Sequence, residues 1–422
     1  MKTTSPPAAA SLIDSRVAAW RLLASLGAVT LGGSGMYVMS VALTTVQHEF
    51  GVDRSIASLP YTAMMIGFGI GGMVCGRWAD RYGVDRVVRL GAIGSVLGYV
   101  LASLSSSIVL FTFAHAALLG FLAVASSFVP LMADTALWWN RRRGIAVAVV
   151  ASGNYVAGAV WPPIAQWGMA HVGWRTTYVA LGVVCGLGMA LLSLLLRQRP
   201  PALDAASASS AVPGAGLHAS ARPFGLQPTQ AQWLLFVAGI GCCVAMAMPQ
   251  VHIVAYCMDL GYGPANGARM LSTMLGFGIV SRLVSGWIAD RIGGLRTMLL
   301  GSALQGVALC LFLPFDGIAS LYLISALFGL FQGGIVPSYA IVIREYFAPQ
   351  EASARVGTVI MGTLIGMALG GWLSGKVFDL TGSYHAAFVN GIGWNLLNLG
   401  IVGWLFLRTR ARERALGPPA AA

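Results

Sequence analysis

Charge is what this 422-residue sequence has least of: 9% of its residues are Asp, Glu, Lys or Arg, while 57% are hydrophobic. A soluble domain carries roughly 25% charged residues, so most of this surface is not built to face water. Acids inside the apolar runs are scarcer still, and only Asp134 comes close to lying deep in one. No paired acids, nucleophile–base pair or metal-ligand spacing stands out, which argues against an enzyme and against a cofactor or metal site. Cysteine is sparse as well. Cys75, Cys185, Cys242, Cys243, Cys257 and Cys310 lie in apolar runs without CxxC spacing and read as small packing residues. Residues 1–18, rich in Ala, Ser and Pro, lack the apolar core of a signal peptide, so the first apolar run is expected to be retained.

What the sequence does have is long apolar runs. A helix crossing the hydrocarbon core needs about 20 apolar residues. Such runs predict spans over 21–46, 56–78, 87–106, 109–136, 144–167, 175–197, 231–256, 266–287, 296–314, 318–343, 355–376 and 384–407. The expected fold is an all-α membrane protein with twelve transmembrane helices in two pseudo-symmetric six-helix halves. The predicted organisation is a tail over 1–18, a first half over 19–197, a linker over 198–230, a second half over 231–407 and a tail over 408–422. The linker carries the longest polar interruption, including Asp204-Ala-Ala-Ser-Ala-Ser-Ser-Ala-Val-Pro.

The net charge of +12 could suggest a nucleic-acid partner, but its distribution does not. With the N-terminus placed in the cytoplasm, all but five of the 26 Lys and Arg fall at cytoplasmic ends or loops. Arg54, Arg175, Arg269 and Lys376 fall outside, and Arg282 falls within a span. This is the positive-inside pattern. It predicts a multi-pass protein of the cytoplasmic (inner) membrane with both termini and the linker cytoplasmic, partnered by lipid rather than nucleic acid and functional as a monomer.

The two halves repeat the same text. Met65-Ile-Gly-Phe-Gly-Ile70 returns as Met274-Leu-Gly-Phe-Gly-Ile279, and Gly76-Arg-Trp-Ala-Asp-Arg-Tyr-Gly83 as Gly286-Trp-Ile-Ala-Asp-Arg-Ile-Gly293. Gly173-Trp-Arg-Thr-Thr-Tyr178 has an echo in Gly382-Ser-Tyr-His-Ala-Ala-Phe388. Internal repetition of this kind marks a duplicated transporter, whose solute site is expected between the halves. In the repeated motif, Gly76, Gly83, Gly286 and Gly293 are expected to permit tight turns. Asp80, Arg81, Asp290 and Arg291 offer charge pairs where a conformational change would break and remake contacts. Gly67-Phe-Gly-Ile-Gly-Gly72 matches the dinucleotide fingerprint by letter only, because it sits inside an apolar helix. It reads as close helix packing, as do Gly362, Gly366 and Gly370.

Arg282 is the most informative residue. It stands between Ile279-Val280-Ser281 and Leu283-Val284, eight residues before Asp290, or roughly 12 Å inside that end at 1.5 Å per residue. The duplicated text places Gly72 or Met73 at the matching position, so the fold does not itself require an arginine. A charge so placed faces a partner or a water-filled path. Pairing with Asp134 is the structural alternative; contact with a substrate carboxylate is the functional one, since a guanidinium donates two parallel hydrogen bonds. His252, four residues before Tyr256 and on one face with it, and His115 can carry a proton near neutral pH or serve as bonded core residues. Asp134 is a third proton candidate. Asn154, Gln332 and Tyr339 are polar groups in apolar helices and join the substrate-binding candidates, with Asn390, Asn395 and Asn398 as further polar positions.

The repeated Gly-x-x-x-Asp-Arg-x-Gly resembles the loop signature of the major facilitator superfamily. The stretch Trp138-Trp-Asn-Arg-Arg-Arg-Gly-Ile-Ala-Val-Ala-Val-Val-Ala-Ser-Gly153, physically an aromatic belt, a basic anchor and a small-residue helix, is similar to the monocarboxylate porter signature. With Arg282 taken as that family's helix-eight arginine, the resemblance spans essentially all twelve helices. The departures are specific. The helix-one signature is reduced to Leu31-Gly-Gly-Ser-Gly-Met36, and Gly278 stands where many members carry an aspartate. Helix one has no lysine, and Lys376 is the nearest lysine to the helix-eleven position used by oxalate/formate exchangers.

The resemblance implies alternating-access transport of a small organic monoanion, with a proton as co-substrate. One buried arginine suits one carboxylate, of lactate or pyruvate type. Organic-anion exchange and drug or metabolite efflux are the alternatives on the same fold.

Overall fold

The structure is a computed structural model that describes residues 12–199 and 222–416. Most of the linker expected over 198–230, the first residues of the N-terminal tail and the last of the C-terminal tail lie outside the described residues. Among the described residues, twelve helices are long and apolar enough to cross a membrane. They are α1 (Arg16–Phe50), α2 (Arg54–Tyr82), α3 (Val84–Ser103), α4 (Ile108–Trp138), α5 (Arg143–Val172) and α6 (Trp174–Leu195). The second set is α7 (Pro228–Asp259), α8 (Pro264–Ile292), α9 (Gly294–Leu311), α10 (Ile318–Tyr346), α11 (Gln350–Thr381) and α12 (Tyr384–Arg412). No strand occurs among the described residues. Most helices outrun their apolar text at one or both ends, because backbone hydrogen bonding continues into polar caps; α3, α6 and α9 stop a few residues early.

The chain divides into two compact units. One comprises Met1–Val52 and Leu59–Ser210, the other Asp53–Ser58 and Ala211–Ala422. Asp53–Ser58, which opens α2, is therefore grouped with the second unit, an exchange that the sequence repeat does not announce. Each unit has its own core. The first is centred on Ala28, Val29, Val88, Leu131, Val150 and Met189. The second is centred on Leu235, Cys242, Met298, Tyr339, Val342 and Leu405.

Small residues bring helices together as the Gly-rich text predicts. A Cβ on Gly71 would stand 2.4 Å from the Phe121 carbonyl oxygen, and one on Gly366 would stand 2.5 Å from that of Ile240. Among the described residues, four spans are not continuous α-helix. α1 breaks at Gly33, between Arg16–Gly32 and Ser34–Phe50. α2 breaks at Ser58, between Arg54–Ala57 and Leu59–Tyr82. α4 passes through a π-helical stretch, Ala114–Val124. α10 breaks at Gly333 and Gly334, between Ile318–Gln332 and Ile335–Tyr346. In membrane proteins such irregularities concentrate at solute sites.

The duplicated motif separates into two roles. Gly83 and Gly293 have φ of 95° and 85°, a region side chains avoid, so glycine is required at both turns. Gly76 and Gly286 lie inside α2 and α8, not in a turn, which corrects the sequence expectation for them. Asp80, Arg81, Asp290 and Arg291 are exposed. The Arg291 guanidinium stacks on Trp287 at 3.6 Å. In the second unit, Glu345 of α10 holds the turn by accepting the Gly294 amide at 3.0 and 3.1 Å.

Candidate functional site

α8 meets α10 along a seam of minimal side chains. A Cβ on Gly329 would come within 1.8 Å of the Met274 carbonyl oxygen, one on Gly333 within 2.5 Å of that of Gly278, and one on Gly334 within 2.0 Å of Ser285 Oγ. Ser281 belongs to this seam, since its Oγ lies 2.9 Å from the Gly333 Cβ position. Arg282 follows directly, about 100° further around the helix, and is half-buried. The seam thus fixes the backbone that carries the arginine while leaving its side chain beside the contact.

Across the seam, Gln332 is the last residue before the α10 break and is fully buried. Its Oε1 accepts a hydrogen bond from Gln250 Nε2 of α7 at 3.1 Å, while its Nε2 finds no partner among the described residues. Gln250 directly follows Pro249, the proline inside α7. Tyr339 is placed differently from Gln332. Its hydroxyl donates to Asn398 Oδ1 at 2.9 Å, and Asn398 Nδ2 donates to Ser302 Oγ at 2.7 Å. Asn395 Nδ2 bonds the Ser302 carbonyl at 3.1 Å. Tyr339 and Asn398 are therefore bonded to each other, and Asn398 and Asn395 both reach Ser302, within the α9–α10–α12 packing, while Asn395 Oδ1 has no partner among the described residues.

His252 and Tyr256 come together on one ring. His252 is fully buried; its Nε2 lies 2.8 Å from the Gly371 carbonyl oxygen and its Nδ1 lies 3.1 Å from Tyr384 Oη. A carbonyl only accepts, so Nε2 carries the hydrogen and Nδ1 receives the tyrosine's proton. Tyr256 packs edge-on against the same Tyr384 ring at 5.6 Å. Tyr384 also accepts from Arg54 Nη1 at 3.0 Å, and that guanidinium pairs with Asp259 at 2.7 Å. It covers the Phe378 ring at 4.3 Å. Asp379 receives the backbone amides of Arg54 and Ser55 at 2.9 and 2.8 Å. All of these residues belong to the second unit. They form one bonded chain, Asp259–Arg54–Tyr384–His252.

In the first unit, Asn154 of α5 faces the break in α1: its Oδ1 lies 3.1 Å from the Gly33 Cβ position. The break is braced by Trp161, whose Nε1 donates to the Thr30 carbonyl at 2.8 Å. His115 sits in the π-helical stretch with Nδ1 bonded to the Phe111 carbonyl at 2.9 Å and its ring beside Phe111 and Tyr178. It is packed in an aromatic cluster inside its own unit. Asp134, weighed above as a partner for Arg282, instead accepts from Arg21 at 2.7 Å, with both side chains buried and the guanidinium over Trp138 at 4.2 Å. No group of three or more His, Cys, Asp or Glu able to hold a metal occurs among the described residues.

Sequence reasoning missed Arg21, Arg54, Gln250, Asp259, Asp379 and Tyr384. Arg54 did carry a signal, as one of few basic residues on the uncommon side of the charge asymmetry. The others give none, since their roles depend on partners up to hundreds of positions away.

Comparison with known proteins identifies the family and the fold. The family profile described as Major Facilitator Superfamily matches residues 23–304 and 265–421. Monocarboxylate transporter 13 of Bos taurus is 29% identical over 351 residues, covering 82% of this chain and 78% of the relative. The uncharacterized MFS-type transporter YcxA of Bacillus subtilis is 25% identical over 343 residues, covering 79% and 82%. Among solved structures, the nucleoside transporter NupG superposes with a TM-score of 0.73 at 14% identity, covering 93% of this chain and 100% of that one. A bacterial homolog of the human lysosomal transporter Spinster, inward-facing and unoccupied, gives 0.70 at 14% identity, covering 96% and 100%. At such identities the structural likeness speaks for the fold alone.

Proposed function

Because this chain belongs to the major facilitator superfamily, and is a membrane transporter rather than an enzyme, we propose that it carries a small monocarboxylate across the cytoplasmic membrane by alternating access, together with a proton. The observation that carries this reading is Arg282, a half-buried guanidinium in the middle of an apolar helix. Its backbone is held by the α8–α10 seam. Asp134 is bonded to Arg21, so that acid is engaged elsewhere. A planar guanidinium matches a carboxylate with two parallel hydrogen bonds. The relatives named monocarboxylate transporters support the same class of substrate.

Proton coupling follows from charge. An anion entering alone against an inside-negative potential meets about 2.3 kcal/mol per 100 mV, and a proton carried with it removes that cost. His252 is the proposed proton carrier, because its ring is fixed through Tyr384 in a hydrogen-bonded network with Arg54 and Asp259. Asp134 is a poorer carrier while it balances Arg21, and His115 is enclosed by aromatic rings. Asn154 and Gln332, each beside a helix irregularity, are proposed to line the path. Tyr256 is proposed to shape it around Tyr384. The protein is proposed to act as a monomer with both termini cytoplasmic. Asp80, Arg81, Asp290 and Arg291 are proposed to exchange partners as the carrier changes state.

Uptake of labelled lactate, pyruvate, acetate, oxalate and succinate into proteoliposomes, with and without an inward pH gradient, tests the proposal. Monocarboxylate uptake driven by the gradient supports it. Uptake that ignores the gradient but follows anions loaded inside identifies an exchanger. Absence of uptake of every acid points to efflux of other compounds.

A further inference from the structure

Two buried polar atoms near Arg282 have no partner among the described residues: Gln332 Nε2 and Ser281 Oγ. Their residues are 0% and 2% exposed. Buried donors are bonded in the great majority of cases, and an orphan calls for a reason. Their residues stand next to one backbone contact of the α8–α10 seam. Gly333, next to Gln332, would place a Cβ 2.8 Å from Ser281 Cβ. Arg282 is the residue after Ser281, so the guanidinium-bearing residue and the free amide flank a single backbone contact. Neighbouring Cα atoms are about 3.8 Å apart, which puts Gln332 and Arg282 on the order of 10 Å from each other. That span suits an arginine side chain holding the carboxylate of a three-carbon acid while an amide meets the oxygen on the adjoining carbon. The amide is also oriented: Gln250 holds Gln332 Oε1 at 3.1 Å, which turns Nε2 away from Gln250.

We propose that Gln332, positioned by Gln250 and assisted by Ser281, donates a hydrogen bond to the 2-oxo or 2-hydroxy oxygen of an acid whose carboxylate is held by Arg282. The inference rests on the monocarboxylate reading and narrows it to α-oxygenated acids. A site built to bond a substrate oxygen rejects the analogue lacking it, because the buried donor is then left without a partner. Lactate and pyruvate are therefore favoured over propionate, which matches them in size and charge and lacks only the α-oxygen.

The test measures uptake of lactate, pyruvate and propionate by wild type, Gln332→Met, Gln250→Met and Ser281→Ala in proteoliposomes. Wild type is expected to prefer the two α-oxygenated acids by about tenfold or more, the worth of one well-placed hydrogen bond. Gln332→Met should bring that ratio close to one by lowering lactate and pyruvate uptake, with propionate uptake kept. Gln250→Met should reduce it in part. Ser281→Ala removes an oxygen that bonds nothing else described, so it folds as wild type does and should narrow the ratio about threefold. It decides the matter if a glutamine variant fails to insert. Wild type that takes up all three acids equally, or a ratio unchanged in Gln332→Met and Ser281→Ala, overturns the subsite and leaves the Arg282 anchor standing. Wild type that takes up none of them overturns both.

Discussion

The Nδ1 of His252 and the hydroxyl of Tyr384 meet at 3.1 Å, and through that hydroxyl the histidine is linked to Arg54. The first unit has a counterpart built with other residues. There Glu49, at the end of α1, pairs with Arg175 at 2.6 Å, the second residue of α6. In the second unit the corresponding place on α12 holds His385, and Asp259 takes its cation from Arg54 instead. The duplicated scaffold thus closes the same helix ends with a local pair in one unit and an exchanged segment in the other. Only the second arrangement brings a histidine into the network.

His252→Gln is expected to flatten the dependence of uptake on external pH while leaving exchange of one anion for another largely intact. Glutamine keeps hydrogen bonding but does not titrate. Tyr384→Phe cuts the link to Arg54 and should act in the same direction, whereas His115→Gln should leave the profile as it is. Initial rates of uptake across a series of external pH values check all three, and an unchanged profile in both His252→Gln and Tyr384→Phe would assign the proton to another group.

The Arg21–Asp134 pair is buried on both sides, at 4% and 9% side-chain exposure. Removing one partner of such a pair leaves the other charge uncompensated and costs about 3–5 kcal/mol. Arg21→Met should therefore lower the thermal midpoint in detergent sharply. The double variant Arg21→Met with Asp134→Leu should recover most of the loss, since an apolar pair needs no charge balance. Thermal unfolding of the purified variants reads this directly, and full stability of the single variant would remove the pair from the account of the first unit.

Much of this architecture is legible before any coordinates. Apolar length fixes the twelve spans, and the repeated Asp-Arg-x-Gly text marks equivalent turns, where positive φ explains the glycine in both copies. Arg282 stands out because a charge within an apolar helix is costly. The rest depends on tertiary partners. Nothing in Arg54 says that it leaves its own half of the sequence to bond Asp259. Tyr339 and Gln332 look alike as polar residues of one helix, and only packing shows that one is bonded to Asn398 while the other keeps a free donor. Buried bundles have no clean apolar face from which such differences could be read.

Gly329→Ala is expected to disrupt the α8–α10 seam, because the added Cβ would stand 1.8 Å from the Met274 carbonyl oxygen. Backbone on one side and backbone on the other leave little room to yield, and overpacking of this kind costs about 1–3 kcal/mol or more. Gly276→Ala, in the same α8 with nothing within 4 Å of the new atom, is the matched control. Yield of monodisperse protein and thermal midpoint separate the two, and equal behaviour would show that the seam does not hold the arginine-bearing segment.

The most direct measurement is uptake of labelled lactate and pyruvate by Arg282→Lys against wild type, with both proteins shown to be folded by size exclusion and thermal midpoint. Lysine keeps the charge and loses the planar fork. The account predicts that a stable Arg282→Lys protein loses at least about tenfold in uptake, the worth of one charge-assisted hydrogen bond of the two. Wild-type uptake by the variant would contradict it, and so would a variant that fails to fold, since that outcome makes the arginine a structural residue.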